Sequence, residues 1–251
     1  MPPEIPFSVV EALRRAEAVA VLTGAGISAE SGVPTFRDAQ TGLWAQYRPE
    51  ELATPQAFRR DPGLVWEWYQ WRRELVRGAA PNAGHYALAT LEAQWQQRGR
   101  HFTLITQNVD GLHGLAGSRN LIELHGNLTR TSCSVCERPA EAWPAEGPVP
   151  PRCSNCGGPL RPAVVWFNEA LPREALAAAL EAAQSCAVFL SVGTSGLVEP
   201  AASLPLEALR RRAVVVEVNV GETPLTRQAT AHLRGPAGEV LPALVAALGA
   251  P

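Results

Sequence analysis

Ala18-Val19-Ala20-Val21-Leu22-Thr23-Gly24-Ala25-Gly26-Ile27-Ser28-Ala29 decides the fold. Its apolar start, closed by a turn signal, reads as a buried strand, and a strand without polar alternation belongs in a parallel sheet covered on both faces. The strand runs straight into Gly24-x-Gly26-x-x-Ala29, where small residues let backbone N–H groups approach a diphosphate at the start of a helix. By itself the motif fits either that role or a tight turn that binds nothing.

Outward from this point, further buried strands are expected at 102–106, 121–124, 187–192 and 213–218. Helices are expected at 11–15, 173–185 and 240–248. The alternation predicts an α/β fold, a Rossmann-type doubly wound parallel sheet. Two insertions break it. Segment 37–99 is rich in Trp, Arg and Glu and reads as helical around 63–76, whereas 127–162 carries four cysteines and many prolines, which exclude a continuous helix or central strand. The expected division is a Rossmann-type domain of residues 1–36, 100–126 and 163–251, beside a smaller lobe made of a helical module, 37–99, and a zinc-binding module, 127–162.

Composition bounds the partners. With 251 residues, 46% hydrophobic and 18% charged, the chain is an ordinary globular protein. A net charge of −2 gives no general attraction for nucleic acid or anionic membrane. No apolar run approaches the ~20 residues that span a bilayer. Met1-Pro2-Pro3-Glu4 lacks the basic and apolar regions of a signal peptide. The expectation is a cytoplasmic protein, favoured as a monomer, with no nucleic-acid or membrane partner.

Cys133-x-x-Cys136 and Cys153-x-x-Cys156, sixteen residues apart, have the spacing of a tetrahedral thiolate zinc site. Four thiolates fill the coordination sphere, so such a zinc is structural. Two disulfides or free thiols are the alternative, disfavoured in a reducing compartment. Cys186 lies in an apolar stretch and reads as a small core residue.

A hydride-transferring dehydrogenase needs an acidic residue about 20 residues after the glycine turn, to hold a ribose. Here Ser31-Gly32-Val33-Pro34-Thr35-Phe36-Arg37 leads directly into the first insertion instead. Asn219, ending a later strand, is a candidate ribose partner, and Gly193-Thr194-Ser195 is a second small-residue turn; each also fits a plain loop. Thr106-Gln107-Asn108-Val109-Asp110-Gly111 places two amides and a carboxylate after a strand, where α/β ligands bind, although it is equally good turn chemistry. His125, closing another strand before Gly126, is either a general base or a satisfied structural histidine. His85, His101, His113 and His232 read as surface or packing residues.

Gly24-Ala25-Gly26-Ile27-Ser28, Gly32-Val33-Pro34-Thr35-Phe36-Arg37, Thr106-Gln107-Asn108-Val109-Asp110, His125-Gly126 and the cysteine quartet, in that order, resemble the motif set of the sirtuins from Val19 to Leu244. The resemblance implies NAD as co-substrate, one structural zinc, and acyl-lysine proteins or peptides as substrates. It implies NAD contacts at Gly24, Ala25, Gly26, Ser28, Thr35, Phe36, Arg37, Gln107, Asn108, Val109, Asp110, Gly193, Thr194, Ser195, Asn219, Val220, Gly221 and Ala237, with His125 and Asn108 catalytic. The acylated peptide is then expected between 164–169 and 196–199, with Val165, Phe167, Asn168 and Glu169 as contacts. Asn168 stands where the family has glycine, and Asn tolerates positive φ better than most residues.

Tyr69 and Arg72, three apart in Tyr-x-x-Arg, share one helix face and resemble the pair with which the desuccinylase and demalonylase subgroup binds an acyl carboxylate. A packed tyrosine beside a surface arginine is the other reading. All 22 basic residues are Arg, so a deacylase of this sequence has no side-chain lysine of its own to be acylated. Mono-ADP-ribosyl transfer and a non-catalytic NAD-sensing module remain the alternatives.

Overall fold

The computed structural model describes residues 3–34, 48–140 and 147–249. Six strands, β1 (Ala18–Thr23), β2 (His101–Thr106), β3 (Leu121–Glu123), β7 (Val188–Val192), β8 (Val214–Asn219) and β9 (Ala231–Arg234), form one sheet in the order β3-β2-β1-β7-β8-β9. Every pairing in it is parallel. The strand order reverses between β1 and β7, and such a switch point leaves a crevice at the strands' C-terminal ends.

Alternate residues of the strands feed two cores. Val19, Val21, Leu190, Val192, Val216 and Val218 pack with α1 (Phe7–Arg15), α5 (Ala83–Gln97) and α9 (Ala237–Leu248) on one face. Ala20, Leu22, Phe189 and Val215 pack with α7 (Arg173–Ser185) and α8 (Leu204–Arg210) on the other. This double burial is why the strands are unbroken apolar runs. The expected strands and helices are present within a few residues of their expected ends, and β9 is an addition.

A second, three-stranded antiparallel sheet joins β4 (Gly126–Cys133), β5 (Pro139–Ala140) and β6 (Leu160–Val164) in the order β5-β4-β6. Against it pack α3 (Pro55–Arg60) and α4 (Pro62–Arg77), after the short α2 (Pro49–Leu52); Phe58, Val65, Trp68 and Tyr69 share a core with Leu128, Val164 and Trp166. Trp66 seals a smaller cluster with Cys133 and Leu160. Thr54 and Asp61 cap α3 and α4 by accepting from the Ala57 and Leu64 N–H groups, with proline at the first helical position of each.

Within 48–99, α3 and α4 pack on the small sheet, while the last helix packs elsewhere. That helix, α5, buries Ala87, Leu88, Leu91 and Trp95 in the core of the large sheet. An apolar stripe at helical spacing draws it to that face.

Candidate active site

The two glycine turns meet at the switch point. A Cβ on Gly24 would stand 2.8 Å from Thr194 Cβ, and one on Gly26 would stand 2.7 Å from Gly193 Cα. Gly193 itself has φ 58. The Gly24 and Gly26 N–H groups donate to the Val192 and Gly193 carbonyls at 3.0 and 2.8 Å. These glycines are required first for turn-to-turn contact, a reason absent from the diphosphate expectation. The chain after them forms 3-10 turns at Ala25–Ile27 and Ala29–Ser31 rather than a long helix.

Beneath the turns lies a buried polar cluster. Asn108 Nδ2 donates to Gly24 O at 3.1 Å and to Ser28 Oγ at 3.0 Å, while Ser28 Oγ donates to Asp110 Oδ2 at 2.7 Å. Asp110 Oδ1 accepts the Leu112 N–H at 2.9 Å, where the one-turn α6 (Leu112–Leu115) begins. The Asn82 N–H donates to His85 Nδ1, which leaves the ring proton on Nε2, 3.4 Å from Ser28 Oγ. Asn82 also caps α5 and donates to Ile27 O at 2.7 Å, so the helix start is tied to the glycine turn.

His113 stands beside His85, ring centroids 4.8 Å apart. Thr23 Oγ1 donates to Thr106 Oγ1 at 2.8 Å and accepts from His113 Nε2 at 2.9 Å; Thr106 Oγ1 in turn accepts the Asn108 N–H. Burial holds both imidazoles neutral, pushing His85 down to about 4 and His113 to about 3; Asp110 opposes the shift at His85, and His85 reinforces it at His113. Both histidines are core polar residues that anchor Asn108, not surface ones.

His125 donates from Nδ1 to the Gln107 carbonyl at 2.9 Å, since a carbonyl can only accept. The lone pair is thereby placed on Nε2. Burial lowers the pKa below the ordinary histidine value, partly offset by that hydrogen bond. Gln107 Nε2 donates to Thr194 Oγ1 at 3.0 Å, and Asn219 Nδ2 donates to Thr194 O at 2.8 Å. Gln107, Asn108, Val109, Asp110, Thr194, Ser195 and Asn219 thus gather at the C-terminal ends of the parallel strands. Val220 is exposed, Gly221 lies beside it, and Ala237 is buried at the start of α9 against Gly84. Thr35, Phe36 and Arg37 lie outside the described residues.

On the other side of His125, the Val165 N–H donates to His125 O at 2.9 Å and the Phe167 N–H to Ala53 O at 2.9 Å. Asn168 has φ 69, the left-handed conformation its family glycine would adopt freely. Phe167, Leu197 and Val198 are exposed apolar residues, 39%, 61% and 40% accessible. The Glu169 carboxylate is engaged by Arg161, so its side chain faces the fold. Tyr69 is buried against Trp166, ring centroids 6.3 Å apart at 30°, and burial raises its pKa so that it stays a phenol. Burial lowers the Arg72 pKa against the opposing pull of Tyr69 and Asp110, and the guanidinium carbon stands 5.1 Å from the centre of the Trp68 ring.

The four cysteine Sγ atoms lie within 4.8 Å of one another, Cys133 and Cys156 at 3.4 Å and Cys136 and Cys153 at 3.8 Å. Tetrahedral Zn–S bonds of about 2.3 Å place sulfur atoms about 3.8 Å apart, so the donor set fits zinc. The Val135 and Cys136 N–H groups donate to Cys133 Sγ, as they would to a thiolate.

Residues 24–200 match the Sir2 family. The chain is 53% identical over 245 residues to NAD-dependent protein deacylase 2 of Pyrobaculum aerophilum, covering 95% of this chain and 94% of that relative. It superimposes on a Sir2 homolog–NAD complex with a TM-score of 0.90 at 46% identity, covering 98% of this chain and 95% of the other. It also superimposes on a mutant Sir2 homologue bound to 2′-O-acetyl ADP ribose, with a TM-score of 0.88 at 47% identity over 97% and 96% of the chains. With the strand order, the glycine turns and the thiolate quartet already established, these matches show that the chain belongs to the Sir2 family.

Proposed function

We propose that the protein removes acyl groups from protein lysines in an NAD-dependent reaction that releases nicotinamide and O-acyl-ADP-ribose. The observation that carries this reading is the imidazole of His125, whose Nδ1 is committed to Gln107 O at 2.9 Å, leaving Nε2 as a neutral base. When bound, NAD supplies an electrophilic anomeric carbon and nicotinamide as leaving group. Asn108 and Asp110, locked through Ser28, orient the nicotinamide ribose. An amide oxygen is a weak nucleophile, so this fixed geometry does the work of proximity. His125 Nε2 then takes a proton from a ribose hydroxyl. Gly193, Thr194, Ser195 and Asn219 hold the remainder of the dinucleotide, with Val220, Gly221 and Ala237 at its edge.

The acylated peptide lies extended along 165–169 and 196–199, adding its backbone as a strand. In this reading 1–36, 100–126 and 163–251, with α5, form the nucleotide domain, and Cys133, Cys136, Cys153 and Cys156 hold one structural zinc in the smaller lobe. The protein works in the cytoplasm.

We further infer that Tyr69 and Arg72 recognise an acyl carboxylate, so that succinyl and malonyl groups are removed as well as acetyl. The support is their spacing, three apart on α4, with the Arg72 guanidinium over the Trp68 ring, which itself lies edge-on to Tyr69. Arg72→Met is expected to lower kcat/KM for succinyl-lysine peptide at least about tenfold while acetyl-lysine turnover changes little; equal losses contradict the role. The reaction itself is tested by mass spectrometry of acyl-lysine peptides incubated with and without NAD. Free lysine peptide with O-acyl-ADP-ribose, formed only with NAD, is expected; an ADP-ribosylated protein as sole product contradicts it.

A further inference from the structure

An ion pair outside the catalytic cluster closes the turn on the peptide side. Arg161, on β6, donates from Nη1 to Glu169 Oε1 at 2.6 Å and from Nη2 to Glu169 Oε2 at 2.8 Å, a two-pronged pairing. Nη2 also donates to the Val164 carbonyl at 2.9 Å. The guanidinium carbon stands 3.4 Å from the centre of the Trp166 ring. Glu169 Oε2 accepts the Trp166 N–H at 2.8 Å, and the Glu169 N–H donates to Trp166 O at 3.1 Å. The four residues 166–169 are thus closed by backbone and side chain together, and Phe167 and Asn168 project from the closed end into solvent.

Trp166, pinned by Arg161, is itself a wall. Its ring lies against Phe58, with centroids 5.1 Å apart, and against Tyr69. One guanidinium therefore touches the 166–169 turn and the indole that packs on Tyr69 at once. Only a planar, delocalised cation can grip a carboxylate with two bonds while stacking on an indole.

We propose that Arg161 is a substrate-positioning residue, which sets the turn on which the acylated peptide docks by gripping Glu169 and lying on Trp166. This deepens the deacylase reading and rests on it. Arg161 meets neither the reacting atoms nor the dinucleotide; it acts through the turn. Its loss weakens peptide binding and leaves the NAD side intact, because the Ser28 cluster and the His125–Gln107 bond share no hydrogen bond with it.

The test is steady-state kinetics of the full chain with an acetyl-lysine peptide, comparing wild type, Arg161→Gln, Glu169→Gln and the double variant. Each single variant is expected to raise the peptide KM about tenfold, with kcat and the NAD KM within about twofold of wild type. The double variant is expected to be no worse than Arg161→Gln alone, because Glu169→Gln breaks a pairing that Arg161→Gln has already removed. Should Arg161→Gln fail to fold, Glu169→Gln carries the same test, since its amide oxygen still accepts the Trp166 N–H. An unchanged peptide KM, a parallel collapse of kcat and NAD KM, or additive effects in the double variant would overturn the role. Wild-type protein that leaves the peptide acylated in the presence of NAD would overturn the deacylase reading and this role together, whereas normal wild-type turnover with an unchanged variant KM overturns the role alone.

Discussion

Ser28 and Cys133 are both buried, and each sits where separate chain segments converge, but they are held by different means. The Ser28 hydroxyl contacts three partners 57 to 82 residues along the chain, with donors and acceptors matched within the protein. The Cys133 sulfur faces three other sulfurs, which repel as thiolates and cohere only around a cation. The cleft floor is preorganised by hydrogen bonding and burial. The cysteine lobe borrows its organisation from a metal. A catalytic geometry has to persist between turnovers, and the part that must not move is the part built without a dissociable component.

The largest expected effect separates the two regions. Cys133→Ser is expected to abolish stoichiometric zinc and to strip hydrogen-exchange protection from β4, β5 and β6, while amides of β1, β7 and β8 stay protected. Simultaneous loss in both sheets would break the comparison. His125→Ala sharpens it from the other side: kcat is expected to fall by roughly 10²–10⁴, with thermal stability and zinc content unchanged. A variant that still releases nicotinamide at the wild-type rate contradicts the base assignment.

Ser28→Ala attacks the floor itself. It leaves Asp110, Asn108 and His85 each short of a partner, and an unsatisfied buried group costs about 1–3 kcal/mol. A lower melting temperature and a raised NAD KM are expected together; a stability loss with normal NAD kinetics would make the cluster purely structural.

The smallest effect concerns pH. His85 and His113 are neutral when folded, with pKa values near 4 and 3, whereas in the unfolded chain they titrate near 6.5. Their contribution is complete above about pH 6.5 and is lost as pH falls toward 4, because the unfolded state takes up protons first. The melting temperature is expected to decline between pH 6.5 and 5, and His113→Gln to decline less steeply, since one proton-uptake site is gone. An identical slope in the variant contradicts the assignment. Burial likewise puts the acid limb of His125-dependent turnover below pH 6.5.

What the sequence disclosed followed from how local each constraint is. The cysteine quartet was legible because coordination dictates spacing within each knuckle. The central strands were legible because double burial forbids polar alternation. Strand β9, Ala231–Arg234, was not, since a four-residue edge strand with His232 and Arg234 carries no apolar run. Helix α5 went unassigned in a segment dominated by the tryptophans of α4, although Asn82, with His85 three residues on, is a capping signal. His85 and His113 were read as surface or packing residues; they are buried, and their part in the cluster was not legible because their partners lie 57 and 90 positions away. Arg161 and Glu169 are only eight apart, yet nothing in Arg161-Pro162-Ala163-Val164 announces that the chain doubles back over Trp166.

Base catalysis at this site requires a neutral imidazole at position 125 that carries its proton on Nδ1. Nitrogen-15 NMR of histidine-labelled protein, with the resonance assigned by difference from His125→Asn, tests this directly. A protonated Nδ1 and bare Nε2 at pH 7.5, titrating below 6.5, is the predicted result; the opposite tautomer, or a ring already charged at that pH, would contradict it.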